Sequence, residues 1–196
     1  TALGNQGVLS YLRGDTTNAT FRTRKHVLGD IVGSEPAFVS KPVENYSESL
    51  NPGYEKDFKT KPGIVDRTPM VYVGANDGML HAFNASLDTA ADGGKEVWAY
   101  VPTPVYQGPS TPSTPSANGL AALTNPNYTH RYYVDAKPHV RDVDFDRAGV
   151  DPKSVADNTH DWRTLLVAGL GKGGRGYYAL DVTNSTGDAG KSEQDL

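Results

Sequence analysis

Asp142, Asp144 and Asp146 stand two residues apart, with Asp151 close behind. A D-x-D-x-D run of carboxylates suits Ca2+, a hard cation that takes six to eight oxygen ligands. Arg147 occupies the position where an EF-hand loop has its turning glycine. On a strand, alternate residues share a face, so the same three side chains would simply line one solvated surface. Both readings stay open. Arg13-Gly14-Asp15 is an integrin-type tripeptide suited to receptor binding, and Gly-Asp is equally good turn chemistry. Gly169–Gly174 (GLGKGG) satisfies G-x-G-x-x-G after an apolar run. A dinucleotide site would need a helix next, with its N-terminus on the pyrophosphate. RGYYAL (175–180) continues as strand instead, which predicts a glycine-rich hairpin. Gly190-Lys191-Ser192 ends like a phosphate-binding loop, but Ser185 stands where the first glycine belongs.

Other chemistry finds little footing. The five histidines (His26, His81, His130, His139, His160) lack close metal-ligand spacing. His81 sits within a strand pattern, where packing or hydrogen bonding is expected. Ser34 has no G-x-S-x-G elbow around it. Five N-x-[ST] sequons, headed by Asn18, Asn45, Asn84, Asn127 and Asn184, are three-residue patterns that assign no chemistry by themselves.

The elements that would position these residues are strands. Val71–Ala85 (VYVGANDGMLHAFNA) runs strand, tight turn, strand, with Asn76-Asp77-Gly78 tolerating positive φ. EVWAYV (96–101) adds a third strand after a Gly-Gly-Lys turn. Three strands joined by short turns form a meander, the unit of a propeller blade. LLVAGLGKGGRGYYALDVT (165–183) repeats the pattern, with Ala82-Phe83-Asn84 aligning on Ala179-Leu180-Asp181. Gly94-Lys95 and Gly190-Lys191 follow the respective pairs. Such radial repetition implies blades that cannot bury their faces alone. The expected fold is all-β: a β-propeller of four-stranded antiparallel blades, here an incomplete portion of about two to three blades. The whole chain, 1–196, is expected to form the N-terminal portion of one propeller domain, with long loops or insertions at 41–66 and 103–128.

Helix signals are few: Gly7–Arg13 and Gly119–Leu123. Leu28–Val39 reads as a strand broken by Pro36, and 41–66 as a polar loop with little regular structure. Gln107–Asn118 is low-complexity and expected to be extended and mobile. His130–Asp135 and His139–Phe145 read as strands, and 147–161 as a polar connection. Trp98 and Trp162, each flanked by apolar residues, are expected to pack between blades.

Composition agrees with a turn-rich β protein: 196 residues hold 21 Gly, 13 Pro and 11 Tyr, and only 21% are charged. The absence of cysteine excludes disulfides and thiolate metal sites. A net charge of −4 without a basic stripe argues against nucleic acid as a partner. No apolar run reaches membrane-spanning length. Thr1 opens without a signal peptide, which fits a cytosolic protein or a mature or internal fragment.

Taken in order, Tyr11–Gly14, Leu28–Ile31 with Ser34 and Pro36, Val71–Phe83, Trp98–Pro102, Tyr132–Asp135 and Trp162–Val167 running into Gly169–Val182 resemble one family closely. It is the C-terminal β-propeller of the PilY1/PilC proteins of bacterial type IV pili, and the run GANDGMLHAF (74–83) is its most specific piece. The resemblance implies a non-enzymatic pilus biogenesis factor or pilus-tip adhesin that supports pilus assembly and retraction, surface attachment and twitching motility. It implies minor pilins or tip subunits and a host-cell or abiotic surface as partners. The rest of the propeller, or another chain, would complete the ring. It also implies export to the pilus tip, outer membrane or cell surface of a Gram-negative bacterium. The family's EF-hand-like calcium loop lies in a later blade, outside this segment, so the resemblance assigns no calcium ligand here. A quinoprotein (PQQ-type) dehydrogenase propeller is the alternative, because its blades share the Ala-Phe-Asn and Gly-Lys-Glu-Val-Trp pattern of 82–84 and 94–98.

Overall fold

The computed structural model describes residues 6–87, 92–106, 119–146 and 160–184. Two antiparallel sheets dominate it. The first has strand order β1 (Ala37–Val39), β2 (Met70–Gly74), β3 (Leu80–Asn84), β4 (Glu96–Tyr100). The second has β5 (His139–Asp144), β6 (Trp162–Gly169), β7 (Tyr177–Asp181). A short helix, α1 (Gln6–Leu12), buries Val8, Tyr11 and Leu12 in the common core. Leu120–Thr124 forms a 3₁₀ turn against the same core, not the α-helix that its apolar run suggested.

Pairing registers make the internal repeat explicit. Met70 faces Asn84 and Gly74 faces Leu80 in the first hairpin; Leu165 faces Asp181 and Gly169 faces Tyr177 in the second. The strand pairs therefore superpose with Gly74 on Gly169 and Ala82 on Ala179, as the sequence alignment has them. The sheets stack front to back. Tyr72, Leu80 and Ala82, each fully buried, supply the face of the first sheet that enters the core. From the second sheet the core takes Val140, Leu166 and Leu180. By register these match Phe38, Val71 and Phe83, which lie on the opposite face of the first sheet. Tyr100 and Tyr178 meet across the seam, with ring centroids 5.7 Å apart. Trp98 packs against Tyr72 in this core, as expected.

Two expected strands do not form as read. Leu28–Val39 yields only the three residues of β1, directly after Pro36, because 28–34 bonds to the turn after β2 and to the last residue of β2 through a side chain, not to a strand ladder. Gly29 N donates to the Asp77 carboxylate, Asn76 N to the Asp30 carbonyl, and Gly74 N to the Ser34 hydroxyl. His130–Asp135 likewise joins no ladder and bends at Tyr133 and Val134: Tyr133 N donates to the Asn76 side chain and Asp135 N to the Leu170 carbonyl. Asp135 in turn accepts from Gly33 N at 2.7 Å, which joins the two lead-in segments. The glycine-rich run is a hairpin, as predicted. A Cβ at Gly173 would collide with the Tyr133 carbonyl, so glycine there lets the turn press on the second lead-in.

The 41–66 segment is not the structureless loop that its polarity suggested. A π-helical turn, Tyr54–Phe58, buries Tyr54 and Phe58, and with Ile64 these build a second small core flanked by Tyr46 and Trp162. Trp162 therefore packs against this insertion and not between the sheets. Gln107–Asn118, most of the 147–161 connection and Gly190-Lys191 lie outside the described residues.

Candidate functional site

Two of the polar residues singled out in the sequence, Asp142 and Asp144, lie where the 41–66 insertion docks on β5 and β6. Asp142 lies on the inner face of β5 and is buried, not on a solvated face as strand alternation suggested. Its Oδ2 accepts from the Tyr54 hydroxyl and its Oδ1 from the Thr164 hydroxyl, both at 2.6 Å. Thr164 Oγ1 accepts in turn from Arg67 Nη1 at 2.8 Å, while Arg67 Nε donates to the Ser40 carbonyl. Burial lowers the Arg67 pKa, and the Asp142 charge opposes that shift. Burial, then the hydrogen bond to Asp142, pushes the Tyr54 phenol far up, so it stays a proton donor. The network is thus a charge-compensated staple: Asp142 holds Tyr54 of the insertion while Arg67 supplies the balancing cation.

Asp144 performs a second fastening. Its Oδ2 contacts His160 Nδ1 at 2.9 Å, and its Oδ1 accepts the backbone N–H of Asp146 and Asp161, each at 3.0 Å. Asp142 and Asp144 thus spend their oxygens on different partners, and Asp146 is only half-buried beyond the end of β5. Among the described residues, no group of three His, Asp or Glu side chains is placed to hold a metal ion. Asp151 lies outside them.

Beside this staple is a cavity of about 430 Å³. Phe58 and Trp162 line it, with Lys56, Asp57, Thr60 and Lys61 of the insertion and His160, two residues before β6. Gly53, at φ 77°, also lines it, and a Cβ there would stand 3.0 Å from the His160 ring. Sequence reasoning missed this pocket. The aromatic spacing of Tyr46, Tyr54 and Phe58 was the available signal, masked by surrounding charge.

The tripeptide lies elsewhere. Arg13 and Asp15 are exposed just after α1, and Gly14 closes the helix through an N–H bond to the Tyr11 carbonyl. Asp15 accepts from both the backbone and the hydroxyl of Thr17, which lowers its pKa. His81 is buried between Asp77, 3.1 Å from Nε2, and Glu96, 2.5 Å from Nδ1.

Two repeated meanders stacked front to back around a shared core define a portion of a β-propeller. Residues 28–193 match the PilY1 beta-propeller domain, and the chain belongs to that family. A type IV pilus biogenesis factor PilY1 of Pseudomonas aeruginosa is 38% identical over 179 residues, covering 89% of this chain and 13% of the relative. A PilY1 homolog of Xylella fastidiosa is 36% identical over 182 residues, covering 90% and 13%. The crystal structure of the Pseudomonas aeruginosa PilY1 C-terminal domain is similar at 30% identity with a TM-score of 0.44, covering 77% of this chain and 23% of that one. The chain thus spans about an eighth of the length of these curated relatives.

Proposed function

We propose that this chain is a non-enzymatic scaffold segment of a type IV pilus biogenesis factor, acting at the pilus or cell surface. The observation that carries this is sequence identity of 36–38% across about nine-tenths of the chain to proteins named as pilus biogenesis factors. The geometry supports it: rigid blades carry an insertion anchored by the Asp142 staple, and loops on rigid scaffolds are where partners bind. Minor pilins or tip subunits are the proposed partners, a host-cell or abiotic surface the proposed target. Support of assembly, retraction, attachment and twitching are the proposed roles. Export is part of the same proposal. Among the described residues no helix is long and apolar enough to cross a membrane.

The test is retention of purified minor pilins and sheared pili by the full-length parent protein, with and without calcium. Retention of a pilin-like subunit supports the reading. Loss of all binding by a folded protein, together with quinone-dependent alcohol oxidation, would replace it by the dehydrogenase alternative.

A further inference from the structure

The two lead-in segments align through Pro36 and Pro138, each one residue ahead of the first strand of its sheet. Equivalent positions then touch across the seam. Gly33 N donates to the Asp135 carboxylate and Lys137 Nζ to the Glu35 carboxylate, and each pair lies 102 residues apart. Adjacent blades thus meet position on position, so the contacts of one lead-in predict those of its counterpart.

The second lead-in is held from two sides. Its own turn fixes it through the bond from Asp135 N to the Leu170 carbonyl. On the other side it seats on the first hairpin. Tyr133 N donates to the Asn76 side chain, and a Cβ on Gly74 would stand 2.5 Å from the Val134 carbonyl oxygen. Tyr133 and Val134 are accordingly 1% and 0% exposed. The first lead-in also bonds its own turn, through Gly29 N, the Ser34 hydroxyl and the Asp30 carbonyl. Its other side faces solvent. Ile31 and Val32, the counterparts of Tyr133 and Val134, are 43% and 56% exposed, and exposed Val27 and Leu28 extend the apolar strip. Exposed apolar surface of this kind marks a site of association.

The far end of the chain carries the complementary half. Gly169 faces Tyr177 in its hairpin as Gly74 faces Leu80 in the first. At Gly74 the need for glycine comes chiefly from the Val134 backbone of the next blade. A Cβ on Gly169 would meet only its own hairpin, the Tyr177 ring from 3.4 Å and the Gly176 carbonyl at 3.6 Å, and its φ is not left-handed. The described residues therefore give no reason for glycine there, although glycine inside a strand weakens it.

We propose that the 27–32 strip and the Gly169 turn are the two open ends of one repeating lock, in which the lead-in of each blade seats on the hairpin of the blade before it. The strip takes a hairpin turn of another blade of the same polypeptide. That hairpin ends its first strand in glycine, because the Val32 carbonyl must approach its backbone as Val134 approaches Gly74. The Gly169 turn takes the lead-in of a further blade. This segment covers 13% of its curated relatives, which leaves ample chain to supply both. The lock concerns how the propeller is joined and is independent of the pilus role.

The test is photo-crosslinking in the full-length parent, with a diazirine-bearing aliphatic amino acid in place of Val32 or, in a second variant, of Ile31. Mass mapping is expected to find a link within one polypeptide, at a hairpin turn whose first strand ends in glycine. Val32→Asp is expected to lower the melting temperature of the parent by about 5 °C or more, since a charge would be buried without a partner. Gly169→Ala is expected to lower it as well, although a Cβ fits the described surroundings. Val43→Asp, at a position 69% exposed on the insertion, is expected to leave it unchanged. A link to a second copy or to a pilin subunit overturns the proposal, as does a link to a segment without such a turn. No link from either position overturns it too, as does a parent whose melting temperature both Val32→Asp and Gly169→Ala leave unchanged. Pilin retention is read in its own assay and bears on the pilus role alone.

Discussion

At the residue scale, buried carboxylates do the fastening. Removing the Asp142 side chain leaves the Tyr54 and Thr164 hydroxyls without their shared acceptor and the buried Arg67 guanidinium, bonded to Thr164, without its balancing charge. Asp142→Ala is therefore expected to cost about 3–5 kcal/mol, the range for breaking a buried charge pair. Tyr54→Phe should cost about 1–3 kcal/mol, measured by chemical denaturation. An equal loss with and without a calcium chelator assigns Asp142 to the staple, whereas a loss seen only with calcium present would assign it to a metal site. His81 gives a pH signature. Burial alone depresses its pKa, but the hydrogen bonds and charges of Asp77, then Glu96, outweigh that and leave it raised. A raised folded-state pKa means that protonation stabilises the fold. That contribution is full below the unfolded value of about 6.5 and disappears as pH rises through the folded value. His81→Gln should lower the melting temperature most under mildly acidic conditions, and the gap should narrow toward alkaline pH. A gap that widens with pH would contradict the ion-pair account.

At the element scale, the 41–66 insertion behaves as a clip on the second sheet. Trp162 holds Tyr54 at a centroid distance of 4.9 Å and donates from Nε1 to the Pro52 carbonyl at 2.9 Å. Trp162→Ala is expected to cost about 3–5 kcal/mol and to make the insertion susceptible to proteolysis before the sheets unfold. Limited digestion with mass mapping reads this out, and a first cut within a sheet would disprove it. Gly53 occupies a left-handed conformation at the start of the clip. Gly53→Ala should cost about 1–2 kcal/mol from backbone conformation, in addition to any displacement of His160. Asn76 belongs to this scale as well. It accepts from Tyr133 N through one side-chain atom and donates to Asp30 through the other, so one turn residue ties both lead-in segments to the first hairpin.

At the scale of the whole molecule, front-to-back stacking has a consequence at its outer faces. Tyr72 and Leu80 are fully buried between the sheets, while their counterparts Val167 and Tyr177 on the second sheet are 42% and 84% exposed. On the far face of the first sheet, Phe38 is 63% exposed, while its counterpart Val140 packs against the core. The repeat thus predicts a further blade against each face. Phe38→Asp or Tyr177→Asp should destabilise the propeller of the full-length parent by more than about 3 kcal/mol, because a charge would be buried without a partner. The same changes in the isolated 196-residue segment should reduce its self-association, as seen by light scattering. If the parent tolerates both changes, these faces do not join blades.

Much of this was legible along the chain. GANDGMLHAF and GLGKGGRGYYAL fixed the two hairpins, because turn glycines and alternating β-branched or aromatic residues act locally. Their common spacing revealed the repeat, and with it the propeller. What sequence could not show depends on partners far along the chain. Polar, proline-rich 41–66 offered no periodicity, since its few aromatics find their core only against Trp162, about a hundred residues on. His130–Asp135 has strand composition but pairs with no strand, and its backbone bonds to turn residues instead. Asp142 looked like part of a solvated carboxylate row until tertiary contact with Tyr54, Thr164 and Arg67 buried it. The amino-acid order determined which segments turn and which extend; only long-range packing decided which side of each strand meets water, and hence that an acidic row became a staple beside a pocket.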